Sequence, residues 1–437
     1  MTDYDVIVAG GGPSGSCVAI HLARGGALVL LLDRARFPRE KPCGGGVSAR
    51  AFAQAPADIT PVVEQRVDTV RFSYRLGSFF DYRYPKTLVY MTQRLRLDAF
   101  LVEQAAAAGV EVREGVAAQG VRLSAGRAAV VTAGGDVKAK VIIGADGANG
   151  AVARSLNLNP APDPPVALEA NFYYGPLHSN GAKPAAEAAG ATSGGDDAFG
   201  GENKNGASCP REWQGVFALE LGSLYGGYGW SFPKADHLNI GCGGWRLEGG
   251  RLRAHLAGLA PHYGLDAGAM RNVRGHHVPT REPGRPISKG NAILVGDAAG
   301  LVDPMSGEGI HSAFVSGRLA AEAALAYLRG NAKTLAAYDA AVERELMPDL
   351  RAAGLLRDAY HLLPGPSYAL MRRWPYLRES LCRLMLGEQT YAGFLRESGP
   401  LHALVSLVAV MGRRRKARRE LQSSRRRAPE RRDPLRM

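Results

Sequence analysis

Gly10-Gly11-Gly12-Pro13-Ser14-Gly15, placed directly after the apolar run Tyr4-Asp5-Val6-Ile7-Val8-Ala9, constrains this chain more than any other stretch. An apolar run without alternation suits a strand buried on both faces of a parallel sheet. Gly10, Gly12 and Gly15 have the GxGxxG spacing. The first glycine permits a tight turn, the second lets a pyrophosphate approach the backbone, and the third lets a helix pack closely on the strand. Phosphates then lie at a helix N-terminus, where free amides and the helix dipole favour negative charge. The pattern predicts a helix from about Ser16 to Arg24, a stop at Gly25-Gly26, and a second apolar strand from Ala27 to Leu32 that ends at Asp33. Asp33, eighteen residues after Gly15, stands where a ribose-hydroxyl acceptor is expected. The unit predicts dinucleotide binding on a Rossmann-like α/β domain, without choosing the dinucleotide.

The remaining texture divides the chain. A helix is expected from Arg96 to Gly109, and buried strands at Val141-Ile142-Ile143 and Ala292-Ile293-Leu294-Val295. Between about 160 and 277, aromatic and alternating segments suggest an antiparallel sheet. Within it, 177–211 is rich in Gly, Ala, Ser and Asn, with little capacity to bury surface, and is expected to form a flexible insertion or lid. After Ile310 the sequence reads as helical to about Met411, broken at Pro348, Pro364 and Pro375. The expected division is a discontinuous nucleotide-binding domain over 1–75, 92–160 and 278–330, and a substrate domain over 76–91 and 161–277. Helices over 331–412 and a disordered basic tail over 413–437 follow.

Composition enters through charge and cysteine. Of a net charge of +13, nine charges come from residues 413–437, where twelve Arg or Lys face three Asp or Glu. The body is close to neutral, so basicity does not argue for nucleic acid, and no aromatic residue is interleaved with the tail's charges. Five scattered cysteines without a CxxC pair offer neither a disulfide framework nor a zinc or iron–sulfur ligand set. No metal is expected. A strand begins almost at once rather than a leader, and no run reaches the length of a spanning helix. The expectation is a cytoplasmic protein, with peripheral membrane contact through 401–437. There the apolar run 401–411 meets Arg413-Arg414-Arg415-Lys416.

Further motifs choose the dinucleotide. Val141-Ile142-Ile143-Gly144-Ala145-Asp146-Gly147 resembles the Asp-Gly motif of FAD-dependent hydroxylases and their reductase relatives. Ala292 to Ala299 resembles their second FAD fingerprint, which places Asp297 on the ribityl chain. Arg94-x-x-Leu97-Asp98 is similar to their arginine-led helix near the flavin phosphates. Each alone could be a strand ending in a capping aspartate. In this order they imply non-covalent FAD on a p-hydroxybenzoate hydroxylase-like fold.

Three stretches resemble the geranylgeranyl reductase family in particular. Pro42-Cys43-Gly44-Gly45-Gly46-Val47-Ser48 is similar to its cysteine-glycine loop beside the isoalloxazine. Tyr228-Gly229-Trp230-Ser231-Phe232-Pro233-Lys234 matches YxWxFPK, and Asp303 to Ile310 matches the flavin-facing loop. The resemblance implies FAD contacts at Gly10, Gly12, Pro13, Ser14, Gly15, Asp33, Arg34, Cys43, Gly44, Gly45, Arg94, Ala118, Asp146, Gly147, Asp297, Gly307, Gly309 and Ile310. It implies substrate contacts at Tyr228, Trp230, Phe232, Pro233 and Lys234. In a strand Tyr228, Trp230 and Phe232 share one face. By itself such a face reads first as a hydrophobic core.

The implied activity is reduction of isolated double bonds in a long isoprenoid, such as a geranylgeranyl group, a prenyl lipid or a prenylated quinone. An isolated alkene has no carbonyl to polarise, so a hydride and a proton must both be delivered. Tyr228, Cys43 and an ordered water are the candidate proton donors. With one dinucleotide fingerprint, NAD(P)H would dock transiently as electron donor, or a carrier such as ferredoxin would serve. The rival on the same fold is an FAD-dependent aromatic monooxygenase or halogenase. A halogenase should carry WxWxIP, and this chain has Tyr228 and Phe232 where that motif has Trp and Ile.

Overall fold

The computed structural model describes residues 4–124, 126–174, 209–399 and 401–427. From the N-terminus come β1 (Tyr4–Ala9), α1 (Pro13–Arg24), β2 (Val29–Asp33), β3 (Gly46–Ser48), α2 (Ala49–Phe52), β4 (Gln65–Val67), β5 (Thr69–Tyr74), β6 (Phe80–Arg83) and β7 (Val89–Met91). Next are α3 (Arg94–Ala107), β8 (Glu111–Glu114), β9 (Gly120–Ser124), β10 (Arg127–Thr132), β11 (Gly135–Gly144) and α4 (Ala151–Ser155). The second sheet draws on β12 (Val166–Tyr173), β13 (Val216–Leu221), β14 (Gly229–Pro233), β15 (His237–Gly244), α5 (Leu252–His262) and β16 (Arg271–His277). The chain then returns through β17 (Ser288–Lys289), β18 (Ala292–Leu294) and α6 (Ile310–Leu328). It ends in α7 (Ala336–Glu345), α8 (Met347–Leu362), α9 (Pro364–Arg373), α10 (Pro375–Leu386), α11 (Tyr391–Glu397) and α12 (Leu401–Arg427).

The first sheet has eight strands with the path β17-β18-β11-β1-β2-β8. β1 runs parallel to both β2 and β11, and β11 runs parallel to β18. Val6, Ile7 and Val8 of β1 and Leu30 and Leu31 of β2 are fully buried, which explains why both strands read as unbroken apolar runs. Gly10 takes φ +113°, and a side chain there would collide with the Ala145 backbone at the end of β11. A side chain at Gly15 would strike the Gly10 carbonyl, so α1 packs this closely only because position 15 is bare.

The second sheet has seven strands in the order β16-β12-β15-β14-β13-β5-β6. One of its faces packs Ala170, Phe172, Leu238, Ile240 and Cys242 against Leu252, Leu256 and Leu259 of α5. The opposite face carries Glu169, Asn171, Asn239, Trp230 and Phe232 and turns toward the nucleotide-binding half.

Three expected boundaries change. Residues 69–74 do not belong with the first sheet: β5 pairs in parallel with β13 in the second. Residues 89–91 leave the substrate domain, because β7 pairs with β3 and β4 in a small third sheet. The basic tail is not disordered from 413, since α12 runs unbroken to Arg427. Arg and Lys are good helix formers, and no Gly or Pro occurs from Arg413 until Pro429. α12 packs on α8 at Gly412, where a side chain would collide with the Asp358 carbonyl. Of the expected insertion, 177–208 lie outside the described residues, as do 428–437. The prolines at 348, 364 and 375 stand in the first turns of α8, α9 and α10, where a missing N–H costs nothing.

Candidate active site

The glycine turn opens onto clustered positive charge. Gly12 caps α1 with Pro13 at the first helical turn, and Ser14 is buried behind it. A Cβ on Gly12 would lie 3.7 Å from an Arg39 Nη and 3.9 Å from an Arg94 Nη. Two guanidinium groups over a helix N-terminus suit a diphosphate. Arg94 is buried and gripped by both oxygens of Asp98, at 2.7 and 2.8 Å, and Asp98 also binds Arg39 at 2.9 Å. Asp33, at the end of β2, accepts the Gly11 and Ala35 amides at 2.8 Å each. Its carboxylate is thereby fixed beside the glycine turn. Arg34 is exposed just beyond it, and Ala118 lies half-buried in the connection between β8 and β9.

Asp146 has two roles on its two oxygens. One accepts the Val152 amide at 3.0 Å and caps the start of α4, while Oδ1 is buried without a partner among the described residues. Burial raises its pKa. Gly147 takes φ +80° beside it. Asp297 pairs with Lys41 at 3.1 Å. Burial opposes its ionisation, but Lys41, with Arg94 and His276, together outweigh burial and its pKa falls below the ordinary carboxylate value.

The loop from Asp303 to Gly309 leads into α6 at Ile310. Asp303 Oδ1 accepts the Met305 and Ser306 amides at 2.8 and 3.0 Å, and Gly307 takes φ +70°. Arg50, unremarked in the sequence, locks this loop to the cysteine-glycine loop. Its guanidinium binds Asp303 at 3.0 Å and Glu308 at 3.2 Å, and Glu308 in turn accepts Ser48 Oγ at 2.6 Å.

The aromatic strand closes the other side. Tyr228 and Trp230 ring centroids are 6.1 Å apart, and those of Trp230 and Phe232 are 6.2 Å apart. A Cβ on Gly44 would come within 2.7 Å of Phe232 and 3.1 Å of Trp230 Nε1, so only glycine lets the loop lie on these rings. The Tyr228 hydroxyl donates to the Ser306 carbonyl. Trp230 Nε1 donates to Asn239 Oδ1 at 3.0 Å, and Asn239 Nδ2 donates to Asn171 Oδ1 at 2.9 Å.

Two ionisable groups here are poorly satisfied. Lys234, 2% exposed, has the Met91 sulfur at 3.8 Å as its only direct polar side-chain contact among the described residues. Burial pushes its pKa down to about 8, against the pull of Glu64, Glu169 and Asp236. Glu169 on β12 accepts the Cys43 amide at 2.9 Å through Oε1, while Oε2 is buried without a hydrogen-bond partner among the described residues. Burial raises its carboxyl to about 7, with the Cys43 amide and Lys234 opposing. Sequence reading did not single out Glu169, although Ala167, Glu169 and Asn171 alternate visibly with Leu168, Ala170 and Phe172.

The donor set therefore fits a flavin dinucleotide. Residues 3–165 match the FAD binding domain family. The chain is 31% identical over 366 residues to geranylgeranyl diphosphate reductase of Rhodobacter capsulatus, covering 82% of this chain and 84% of that one. It is 30% identical over 344 residues to menaquinone reductase of Mycobacterium tuberculosis, covering 73% of this chain and 76% of that one. A geranylgeranyl bacteriochlorophyll reductase-like protein from Thermoplasma acidophilum superimposes with a TM-score of 0.67 at 22% identity, over 87% of this chain and 99% of that one. Flavin-dependent brominase and halogenase structures share the fold at 20% identity or less, so the fold alone does not choose the chemistry. Fold, glycine turn and acidic partners define an FAD-dependent oxidoreductase. Within that class, the chain belongs to the geranylgeranyl reductase family.

Proposed function

We propose that this protein saturates isolated double bonds of a long isoprenoid chain: a geranylgeranyl group, a prenyl lipid or a prenylated quinone. The observation that carries the reading is the sheet face on which Tyr228, Trp230 and Phe232 stand against the Cys43–Gly46 loop. Reduced FAD supplies the hydride when bound. Gly10, Gly12, Gly15, Asp33 and Arg94 hold its adenosine and diphosphate, and Asp297 and the 303–309 loop hold the ribityl and ring. The aromatic rings exclude water and fix the alkene in register. Their π-faces also tolerate cationic character at the alkene carbons.

A cavity of about 490 Å³ lined by Arg75, Arg251, His255, His361 and Tyr225 suits the phosphorylated end of such a chain. Tyr225 is three residues from Tyr228, so their Cα atoms are at most about 11 Å apart. NAD(P)H or a reduced carrier such as ferredoxin serves as donor by transient docking.

Peripheral membrane contact fits α12. Among the described residues no helix is long and apolar enough to cross a membrane. Leu404, Leu407, Val410 and Met411 are exposed, and helical spacing puts them on one side, followed by exposed Arg414, Arg415 and Arg418.

The test is anaerobic incubation of dithionite-reduced enzyme with geranylgeranyl diphosphate and with a menaquinone. A mass gain of about 2 units per bond is expected from addition of hydride and proton. A gain matching oxygen, or turnover only of aromatic substrates with dioxygen, would overturn the reading in favour of a monooxygenase or halogenase.

A further inference from the structure

Alkene reduction requires a proton on the carbon that does not receive the hydride. The two side-chain donors suggested by the sequence are poorly placed to give one. Tyr228 commits its proton to the Ser306 carbonyl, and burial raises its pKa further above the ordinary tyrosine value. The Cys43 sulfur accepts from the Gly45 amide at 3.4 Å inside the loop.

Glu169 is built differently. Across the sheet, Trp230 is paired with Gly241 and Gly241 with Glu169, so the three form one transverse row on the face that meets the cofactor half. Gly241 has no side chain to separate them, and the Trp230 ring occupies the space a Cβ would take there. Adjacent strands lie about 4.8 Å apart, so the carboxyl stands within two strand spacings of the aromatic wall. Oε1 is fixed by the Cys43 amide, and Oε2 is left buried beside the cysteine-glycine loop without a hydrogen bond among the described residues. A buried carboxyl held through one oxygen, with no hydrogen bond on the other among the described residues, keeps that second oxygen available to carry and give up a proton.

We propose that Glu169 delivers the proton in alkene reduction, an inference that rests on the isoprenoid-reductase reading. The π bond of the alkene opens, and two C–H bonds form. One takes the hydride of reduced FAD, which is oxidised by two electrons, and the other takes the Glu169 proton. The carboxylate that remains faces the buried Lys234 ammonium, and solvent protons restore it between turnovers.

The surrounding charges fit this cycle. Lys234, just past β14, and Arg94 of α3 favour the ionised form electrostatically, as do the Cys43 amide through its hydrogen bond and the neighbouring Asn239 side chain. Arg274 pairs across from Glu169 on β16, with its guanidinium tied to Glu40. His276, two register pairs along, is kept neutral by burial, which lowers its pKa to about 4. Against these, burial dominates and places the carboxyl at about 7, close to the value at which an acid is most useful at neutral pH.

Two measurements test the proposal. In an infrared titration of the holoenzyme, the wild type should show a protonated carboxyl stretch that disappears near pH 7, and Glu169→Gln should lack it. In anaerobic single turnover of dithionite-reduced enzyme with geranylgeranyl diphosphate, Glu169→Gln should slow flavin reoxidation by about 10²- to 10⁴-fold. Its FAD content should match the wild type, and Glu169→Asp should recover part of the rate. The wild-type rate should fall as pH rises through about 7, and this limb should vanish in Glu169→Gln. A Glu169→Gln enzyme that keeps both the rate and the pH limb would overturn the proposal while leaving the reductase reading intact. A wild type that reduces no isoprenoid removes the reductase reading, and the proposal with it.

Discussion

Arg94 and Lys234 are both buried cations at the same site, at 6% and 2% exposure, and the structure treats them oppositely. Burial works against the charge in each. At Arg94 the bidentate Asp98 carboxylate overcomes burial and raises the pKa above the ordinary arginine value. At Lys234 no carboxylate among the described residues comes into hydrogen-bond contact, and burial lowers the pKa to about 8. The nucleotide half thus neutralises its charges in pairs, Arg94 and Arg39 with Asp98, Lys41 with Asp297, and Arg50 with Asp303 and Glu308. The substrate half leaves Lys234 and Glu169 able to change protonation near neutrality. Fixed charge suits binding a constant cofactor, and labile protonation suits chemistry on an apolar substrate that offers no hydrogen bonds.

The comparison can be broken first on the nucleotide side, where the largest effect is expected. Gly15→Ala places a methyl group against the Gly10 carbonyl, so α1 must move off β1 and the diphosphate cradle must open. FAD content, measured as the ratio of flavin to protein absorbance, should fall to near zero. Full retention of FAD would mean that close packing of α1 does not shape the cradle.

On the substrate side, Trp230→Ala should lower alkene turnover by about 10²-fold or more through loss of positioning, with FAD content unchanged. Loss of flavin instead would make the aromatic strand a part of the cofactor site and erase the division between the halves.

The two halves also differ in how far the sequence discloses them. The glycine turn, Asp33 and the strands around Ile7 and Ile142 are local patterns, and each appears where its spacing puts it. The aromatic strand reads first as a core by pattern, and only its contact with Gly44 tells the readings apart. Glu169 escaped because a polar strand face turned toward a buried site has the same alternation as one turned toward water. Arg50 escaped because its partners Asp303 and Glu308 lie over 250 residues away along the chain. The misplaced strand at 69–74 has the same cause, since its partner β13 begins at Val216.

A subtler probe concerns pH. A carboxyl raised above its unfolded value of about 4.5 binds its proton more tightly when folded. Its contribution is therefore fully present below the unfolded pKa and is lost as pH rises through about 7. Thermal melts of Glu169→Gln should thus gain on the wild type between pH 5 and 8, by on the order of 1 to 3 kcal/mol. Lys234→Met acts on the same carboxyl from the other side. Removing the cation should raise the Glu169 pKa and move the activity limb to higher pH, and an unmoved limb would show that the two groups are not coupled.

The smallest effect is expected on α12, where paired and unpaired cations meet again at the surface. Lys416 stacks over Trp245 at 5.3 Å, Arg419 over Tyr225 at 3.8 Å, and Arg413 reaches Asp358 at 3.4 Å. These three turn toward the body and fix the helix. Arg414, Arg415 and Arg418 are exposed and continue the side that carries Leu404, Leu407 and Met411. If that side meets an anionic membrane, each should add about 1 kcal/mol of attraction, screened by salt. Replacing Arg414, Arg415 and Arg418 by Gln should weaken sedimentation with phosphatidylglycerol vesicles and flatten its salt dependence, while solution turnover stays at the wild-type rate. Unchanged, salt-insensitive binding would remove the membrane role and leave α12 as a brace on α8.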